Sequence, residues 1–179
     1  MADSAADRRR FETLFAAHAR GLLTYALRRA PSRGDAADVV AETMLVAWRR
    51  LDDVPPGHEA RLWLYGVARR VLANHGRGHR RRVRLGERLR DVMSHQPLRP
   101  VSDTFGDDED VRVALTRLPD DDREILRLVA WEGLNGAEIA TVLDISPEAV
   151  RTRLHRARKR LRVVLTQNDP ALDVKREST

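Results

Sequence analysis

Apolar side chains recur every three or four residues along almost the whole chain, and no stretch alternates apolar with polar residues as a half-buried strand does. A period near 3.6 places the apolar residues of a segment on one face of a helix, whereas a strand requires a period of two. The sequence therefore predicts an all-α protein in which amphipathic helices bury their apolar faces against one another.

Three helices are predicted in the first half of the chain, over residues 8–29, 35–51 and 59–75. Pro31 to Gly34 separates the first two, and a loop that contains Pro55 and Pro56 separates the second from the third. The residues predicted to form their common core are Phe11, Phe15, His18, Leu22, Ala26, Val40, Met44, Ala47, Leu51, Trp63, Leu64, Val67, Ala68, Val71 and Leu72.

The organisation of the chain changes after the third predicted helix. Residues 76–90 contain seven arginines and one glutamate, which fits either a phosphate-binding surface or a solvated basic segment. Residues 91–106 contain two prolines and no clear period, so we expect a flexible linker there. The predicted architecture is two small helical modules, residues 1–90 and 107–167, joined by this linker and followed by a polar tail, residues 168–179.

The second half begins with a short amphipathic helix that carries Val111, Leu115 and Leu118, followed by a helix from Pro119 to Gly133. The most specific segment follows over residues 135–165. Asn135 and Glu138 have the spacing of a capping box, Asp144 and Ile145 form a turn, and Ser146 with Pro147 is a good start for another helix. That last helix carries an apolar stripe consisting of Val150, Leu154, Ala157, Leu161 and Leu165.

Two helices joined by a short turn, the second with a basic outer face, are typical of a helix-turn-helix that reads the major groove of DNA. The net charge of +6 also favours a polyanionic partner. Arg151 is the best candidate for a bidentate contact to guanine, and the cations further along fit phosphate contacts. The predicted DNA-binding residues of this helix are Glu148, Arg151, Thr152, His155, Arg156, Lys159 and Arg160.

Several classes of function are not expected. The chain has no cysteine, and the spacing of its histidines and carboxylates suggests neither a metal site nor a catalytic set, so we expect no cofactor and no enzymatic activity. No segment has the length of apolar residues that a membrane span needs, and the first residues do not resemble a secretory signal. We therefore expect a cytoplasmic protein without membrane insertion.

The segment LTRLPDDDREILRLVAWEGLNGAEIATVLDISPEAVRTRLHRARKRL, residues 115–161, resembles region 4 of sigma factors, although LuxR-type regulators have a similar recognition half. Two segments of the first half resolve this ambiguity. GDAADVVAETMLVAWRRL, residues 34–51, is similar to the part of a sigma factor that docks on the polymerase clamp, and ARLWLYGVARRVLANHGRGHRRR, residues 60–82, is similar to its minus-ten reader. Without the extra regions of larger sigma factors, the chain resembles the extracytoplasmic-function (ECF) group of the sigma-70 family.

The resemblance implies an alternative sigma factor that binds core RNA polymerase and promoter DNA and that an anti-sigma factor regulates. The C-terminal module would read the minus-thirty-five duplex, and the N-terminal module would recognise and melt the minus-ten element and hold the non-template strand. The minus-ten residues would be His58, Glu59, Arg61, Trp63, Arg69, Arg70, Asn74, Arg77, Arg80 and Arg81. The polymerase-binding residues would be Asp35, Asp38, Val39, Glu42, Thr43 and Trp48.

Two other classes remain as alternatives on the residues alone. One is a two-domain helix-turn-helix regulator that binds duplex DNA without polymerase, which would need a sensor or dimerisation domain. The other is an RNA-binding adaptor that uses the arginine-rich segment, which would leave the helix-turn-helix without a role.

Overall fold

The computed structural model describes residues 4–90 and 109–167. This part of the chain is helical, with seven α-helices, one short 3-10 turn and no strand, so the predicted all-α class is confirmed. The chain divides into two compact units, one within residues 1–104 and the other within residues 105–179. The expected linker, residues 91–106, and the expected tail, residues 168–179, lie outside the described residues. No helix among the described residues is both long enough and apolar enough to span a membrane.

The N-terminal unit consists of α1 (Ala5–Leu27), α2 (Arg33–Arg49), a 3-10 turn (Leu51–Asp53) and α3 (His58–Arg90). The first two helices begin at serine N-caps. The Ser4 hydroxyl accepts a hydrogen bond from the Asp7 amide, and the Ser32 hydroxyl accepts one from the Asp35 amide. Each of the three helices packs against the other two, which produces a small bundle with one core.

The core of this bundle centres on two stacked tyrosines. The rings of Tyr25 and Tyr65 lie 4.4 Å apart between centroids with an interplanar angle of 16°. Both tyrosines are buried, together with aliphatic residues of all three helices. Phe15, which was predicted to be a core residue, is 47% exposed, so that prediction is wrong. A stripe with a perfect helical period can extend past the end of its partner helices, and spacing alone does not show where packing stops.

The buried stripe of α2 agrees in part with the expected one, since three of the four residues expected to be buried there are buried. Ala36, Val39, Thr43 and Ala47 are each fully buried, whereas Val40 is only half-buried. These four residues follow one another at intervals of three or four and therefore share one face of the helix. The sequence pattern missed this face because it includes a threonine, whose hydroxyl counted as polar.

Helix α3 continues well beyond its predicted end at residue 75, and reaches Arg90. Arginine is among the better helix-forming residues, so the arginine-rich segment can extend the helix despite its glycines. The consequence is a long helix whose second half carries the densest positive charge of the sequence.

The C-terminal unit consists of α4 (Glu109–Thr116), α5 (Asp120–Ala130), α6 (Gly136–Leu143) and α7 (Pro147–Gln167). Helix α7 packs against each of the other three. The centre of the unit is formed by Ile125, Leu128, Ile139 and Val150, none more than 1% exposed. The unit is thus built around the helix that the sequence predicts to read DNA.

An arginine closes the C-terminal end of α4. The guanidinium of Arg123 donates hydrogen bonds to the backbone carbonyls of Leu115 at 2.9 Å, Thr116 at 3.1 Å and Leu118 at 2.8 Å. The carbonyls of Leu115 and Thr116 lie in the last turn of α4, where carbonyls lack amide partners within the helix, and the carbonyl of Leu118 lies two residues past its end. A cation also suits the negative end of the helix dipole. The sequence pattern did not indicate this role, because Arg123 caps a helix other than its own.

Candidate nucleic-acid interface

Helices α6 and α7 form the predicted helix-turn-helix. The side-chain oxygen of Asn135 accepts hydrogen bonds from the amides of Ala137 at 2.9 Å and Glu138 at 3.0 Å. The backbone amide of Asn135 in turn donates to the Glu138 carboxylate at 2.8 Å. This reciprocal pair is the capping box that the sequence predicts, and it defines where α6 begins.

The turn between the two helices is equally well defined. Asp144 ends α6 in the left-handed conformation with φ 56°, which short polar side chains tolerate better than most residues. The Ser146 hydroxyl accepts a hydrogen bond from the Ala149 amide at 3.2 Å, and Pro147 is the first residue of α7. Three residues therefore set the direction in which α7 leaves α6.

Helix α7 has two distinct faces. Val150 and Ala157 are buried against the rest of the unit, and Leu154 and Leu161 are half-buried on the same side. The exposed residues that were predicted to contact DNA are Glu148, Arg151, Thr152, His155, Arg156 and Lys159. The unit therefore presents a polar, mainly basic surface at the N-terminal half of its recognition helix.

Within this surface, Arg151 lies beside Glu148. A guanidinium nitrogen of Arg151 is 3.5 Å from a carboxylate oxygen of Glu148, and the two side chains are 77% and 70% exposed. An ion pair this exposed contributes little to stability. It leaves the guanidinium at the surface, where a base edge in the major groove could replace the carboxylate as its partner.

Arg160, the seventh residue predicted to contact DNA, is also exposed but has a partner within the unit. Its guanidinium forms a short ion pair with the carboxylate of Asp122 on α5, and the Asp122 side chain is only 9% exposed. Arg160 is nine residues beyond Arg151, or two and a half turns, which puts it on the opposite side of α7. Arg160 follows Arg156 by four residues and therefore lies near it around the helix. No local pattern in the sequence identifies Asp122 as the partner of Arg160.

The predicted minus-ten residues all lie on α3 but occupy different faces of it. Glu59, Trp63, Arg70 and Asn74 follow one another at spacings of four, seven and four residues, which places them along one face. Trp63 is half-buried, and the other three are exposed. The side chains of Arg77, Arg80 and Arg81, further along the same helix, lie outside the described residues.

His58, Arg61 and Arg69 point to other sides of α3. Arg61 is half-buried, with its guanidinium carbon 5.9 Å from the ring centroid of Tyr65 in the core. Arg61 also affects His18, a residue of α1. Burial lowers the pKa of His18 below its usual value, and the positive charge of Arg61 lowers it further. The structure therefore places Arg61 at the junction of α1 and α3, apart from the face that carries Arg70 and Asn74.

Two of the six predicted polymerase-binding residues are inaccessible. Val39 and Thr43 are 0% exposed in the bundle core, so neither can touch a partner in this conformation. Asp38 and Glu42 are exposed, and Asp35 and Trp48 are half-buried. These four side chains are therefore at least partly accessible to a partner, and they flank the buried stripe of α2.

Contacts from other helices support this surface of α2. A ring nitrogen of His75, near the middle of α3, is 2.8 Å from a carboxylate oxygen of Glu42. The ring of Phe11 packs edge-on against Trp48, with 5.2 Å between centroids. Sequence reasoning did not associate His75 with Glu42, because the two residues are 33 positions apart in different helices.

Comparison with known proteins identifies both units. The family model for sigma-70 region 2 matches residues 14–82, and the model for sigma-70 region 4 matches residues 108–161. The chain is 31% identical to the ECF RNA polymerase sigma factor SigL of Mycobacterium tuberculosis, over 92% of this chain and 93% of SigL. It is 32% identical to the RNA polymerase sigma factor CnrH of Cupriavidus metallidurans, over 89% of this chain and 88% of CnrH.

Solved structures have the same fold. CnrH in complex with the cytosolic domain of CnrY superposes with a TM-score of 0.61 at 26% identity, covering 90% of this chain and 91% of CnrH. RpoE in complex with the anti-sigma factor NepR from Bartonella quintana gives a TM-score of 0.67 at 23% identity, covering 89% of this chain and 98% of RpoE. The two matched regions and the near full-length relatives show that the chain belongs to the ECF group of sigma-70 factors, the alternative sigma factors that bind core RNA polymerase and direct transcription initiation at promoters.

Proposed function

We propose that the chain divides promoter recognition between its two units, with α7 reading the minus-thirty-five duplex. The observation that carries this proposal is the exposed polar face at the N-terminal half of α7, on a helix whose other face is buried. In a helix-turn-helix, this end of the recognition helix lies in the major groove. Glu148, Arg151, Thr152 and His155 would contact base edges, and Arg156 and Lys159 would contact phosphates.

The N-terminal unit would hold the minus-ten element after the strands separate. Separated bases need a basic groove with surfaces for stacking. The face of α3 that carries Trp63, Arg70 and Asn74 combines a half-buried aromatic ring, a cation and an amide within three turns. The arginines beyond residue 76 would extend the positive charge along the strand. His58, Arg61 and Arg69 lie on other sides of α3, and we propose that Arg61 supports the helix rather than binding bases.

Core RNA polymerase would dock on the exposed residues around the buried stripe of α2. These are Asp35, Asp38, Glu42 and Trp48, which present an acidic and partly aromatic surface. Val39 and Thr43 would support it from beneath. Docking and minus-ten recognition would then use two adjacent helices of one bundle, so that the bound polymerase and the opened strand share a rigid support.

We also propose that an anti-sigma factor controls the chain. CnrH, a relative at 32% identity, has been solved in complex with the cytosolic domain of CnrY. A chain that lacks cysteine cannot sense oxidants through its own thiols, so a partner would carry the inducing signal. As a sigma factor, the chain would act in the cytoplasm and would catalyse no reaction itself.

Run-off transcription with purified core polymerase tests the main proposal. We expect promoter-specific transcripts only when both the chain and core polymerase are present. Permanganate footprinting on the same promoter reports unpaired thymines and hence strand opening. Asn74→Ala and Arg70→Ala should reduce strand opening more than promoter binding, which a filter assay measures in parallel. Arg20→Ala, an exposed arginine on α1, is the matched control and should leave both measurements unchanged.

Two results would contradict this proposal. Normal strand opening by the Asn74 and Arg70 variants would remove those residues from strand holding. If the unmodified chain with core polymerase opened no promoter that it binds, a regulator that acts on duplex DNA without polymerase would explain the helix-turn-helix better.

A further inference from the structure

A buried carboxylate connects the recognition helix to α5. Asp122 lies in the first turn of α5, and its side chain is 9% exposed. Its carboxylate pairs with the guanidinium of Arg160, which is 38 residues away on α7 and whose side chain is 55% exposed. The pair therefore joins a buried anion to a cation that reaches in from the surface.

The burial of Asp122 is not explained by its position in the helix. Acidic residues in a first turn favour the positive end of the helix dipole, and the neighbouring Asp120 and Asp121 satisfy that preference while exposed. A buried carboxylate costs free energy unless it is paired and hydrogen-bonded. Asp122 thus depends on a cation close by, and Arg160 supplies it.

The same contact affects the charge of α7. Exposed cations surround Arg160 in the sequence, among them Arg156, Arg158, Lys159 and Arg162. Arg160 lies half a turn away from Arg151 around the helix, on the side that faces α5. A long arginine side chain on such a flank could bend towards the DNA backbone if nothing held it. The contact with Asp122 gives its guanidinium a different partner.

We propose that Asp122 is a positioning residue for promoter recognition, which holds Arg160 against α5 and keeps this cation from binding DNA phosphates. By joining α5 to α7 at a point half a turn from Arg151, the contact also sets the rotation of α7 that turns the Arg151 face outward. Phosphate contacts raise affinity for every sequence equally, whereas base contacts discriminate. Holding back one cation therefore favours discrimination over general affinity. The inference rests on the proposed binding of duplex DNA by α7.

The salt dependence of DNA binding distinguishes this role from a purely structural one. The affinity of the full chain for a short mixed-sequence duplex would be measured by fluorescence anisotropy over a range of salt concentrations. The logarithm of affinity falls with the logarithm of salt by about 0.9 for each phosphate contacted on B-DNA. We expect Asp122→Asn to steepen this slope by up to about 0.9, because the released Arg160 gains a phosphate.

Three further variants make the result specific. Arg160→Gln should keep the slope of the unmodified chain, since Arg160 contributes no phosphate contact. The double variant Asp122→Asn with Arg160→Gln should return to that slope. Asp121→Asn removes an exposed carboxylate from the same helical turn, and so controls for the change in net charge. A structural role for Asp122 alone would alter thermal stability but leave all four slopes equal.

Several outcomes would overturn the inference. A slope for Arg160→Gln that is lower by one phosphate contact would show that Arg160 already binds DNA. Equal slopes for Asp122→Asn and Asp121→Asn would show that Asp122 does not restrain the cation. If Asp122→Asn fails to fold by circular dichroism, Arg160→Gln still tests the inference, because a lower slope for that variant would overturn it. Failure of the unmodified chain to bind the duplex at the lowest salt would refute the proposed duplex recognition itself.

Discussion

Replacement of Arg151 by alanine should weaken binding to the minus-thirty-five duplex and relax base preference at one position. Arg151 projects from the N-terminal half of α7, where the recognition helix of a helix-turn-helix contacts base edges. Its forked donors match the O6 and N7 acceptors of guanine, and alanine has no donor to replace them. The loss should therefore depend on the base that is present at that position.

The structure allows the size of this effect to be separated from any effect on folding. The Arg151 side chain pairs with Glu148 at 3.5 Å, and both side chains are more than two-thirds exposed. Breaking such a pair should change the free energy of unfolding by no more than about 0.5 kcal/mol. Losing a bidentate guanine contact costs about 1 to 3 kcal/mol, or roughly 5- to 150-fold in affinity. Almost all of the change should thus appear in DNA binding.

The assay is a binding selection from a library of duplexes, performed with the holoenzyme, followed by affinity measurements on the selected and mutated sites. Arg153→Ala is the matched control. Arg153 is an exposed arginine of the same helix, but lies two residues further on, about 200° around the axis from Arg151. It removes the same charge without removing a contact on the Arg151 face.

A uniform loss of affinity with unchanged base preference would refute the reasoning, because it would mean that Arg151 contacts phosphate. The same conclusion would follow if Arg151→Ala and Arg153→Ala behaved alike in both measurements.

Three other perturbations have defined outcomes. Asn135→Ala should lower the free energy of unfolding of the C-terminal unit by about 1 kcal/mol, whereas Asn135→Gly should lower it by only a few tenths of a kcal/mol. Scanning calorimetry can measure both changes. Equal losses for the two variants would indicate that the capping box is not formed. The lowered pKa of His18 favours its neutral form in the folded state. The free energy of unfolding should therefore decrease as the pH falls from the ordinary histidine pKa of 6.5 towards the lower pKa of the folded state. Denaturation with urea at several pH values should show that His18→Gln flattens this decrease, and an unchanged pH profile would contradict it. His75→Ala should weaken binding of the chain to core polymerase in a competition assay, because Glu42 loses its contact with His75. His75→Gln should restore binding, since its side-chain amide can donate to the Glu42 carboxylate. Equal weakening by both variants would exclude this role for His75.

Much of the fold could be predicted from the sequence because its signals are local. The helical class, the capping box of Asn135 and Glu138, and the start of α7 at Pro147 all depend on residues within a few positions of one another. The end of α3 was less predictable. Glycine disfavours a helix there and arginine favours one, and the helix continues to Arg90.

The candidate site was likewise predictable only in part. The exposed face of α7 follows from the helical period, and most of its predicted residues lie there. The helical period did not show which residues of α2 are buried. Val39 and Thr43 were predicted to be at the surface, and the structure places them in the core. Such errors arise because a period identifies a face of a helix but not the helix that packs against it.

The sequence by itself determined where the helices of this protein begin, which class of fold they form, and that a basic recognition helix follows a capped helix and a short turn. The tertiary structure alone decided that Asp122 holds Arg160, that His75 contacts Glu42 and that Arg123 closes α4. Helix starts and turns depend on hydrogen bonds between near neighbours in the chain. The pairs between helices depend on how each helix is rotated in its bundle, and only packing of the whole core specifies that rotation.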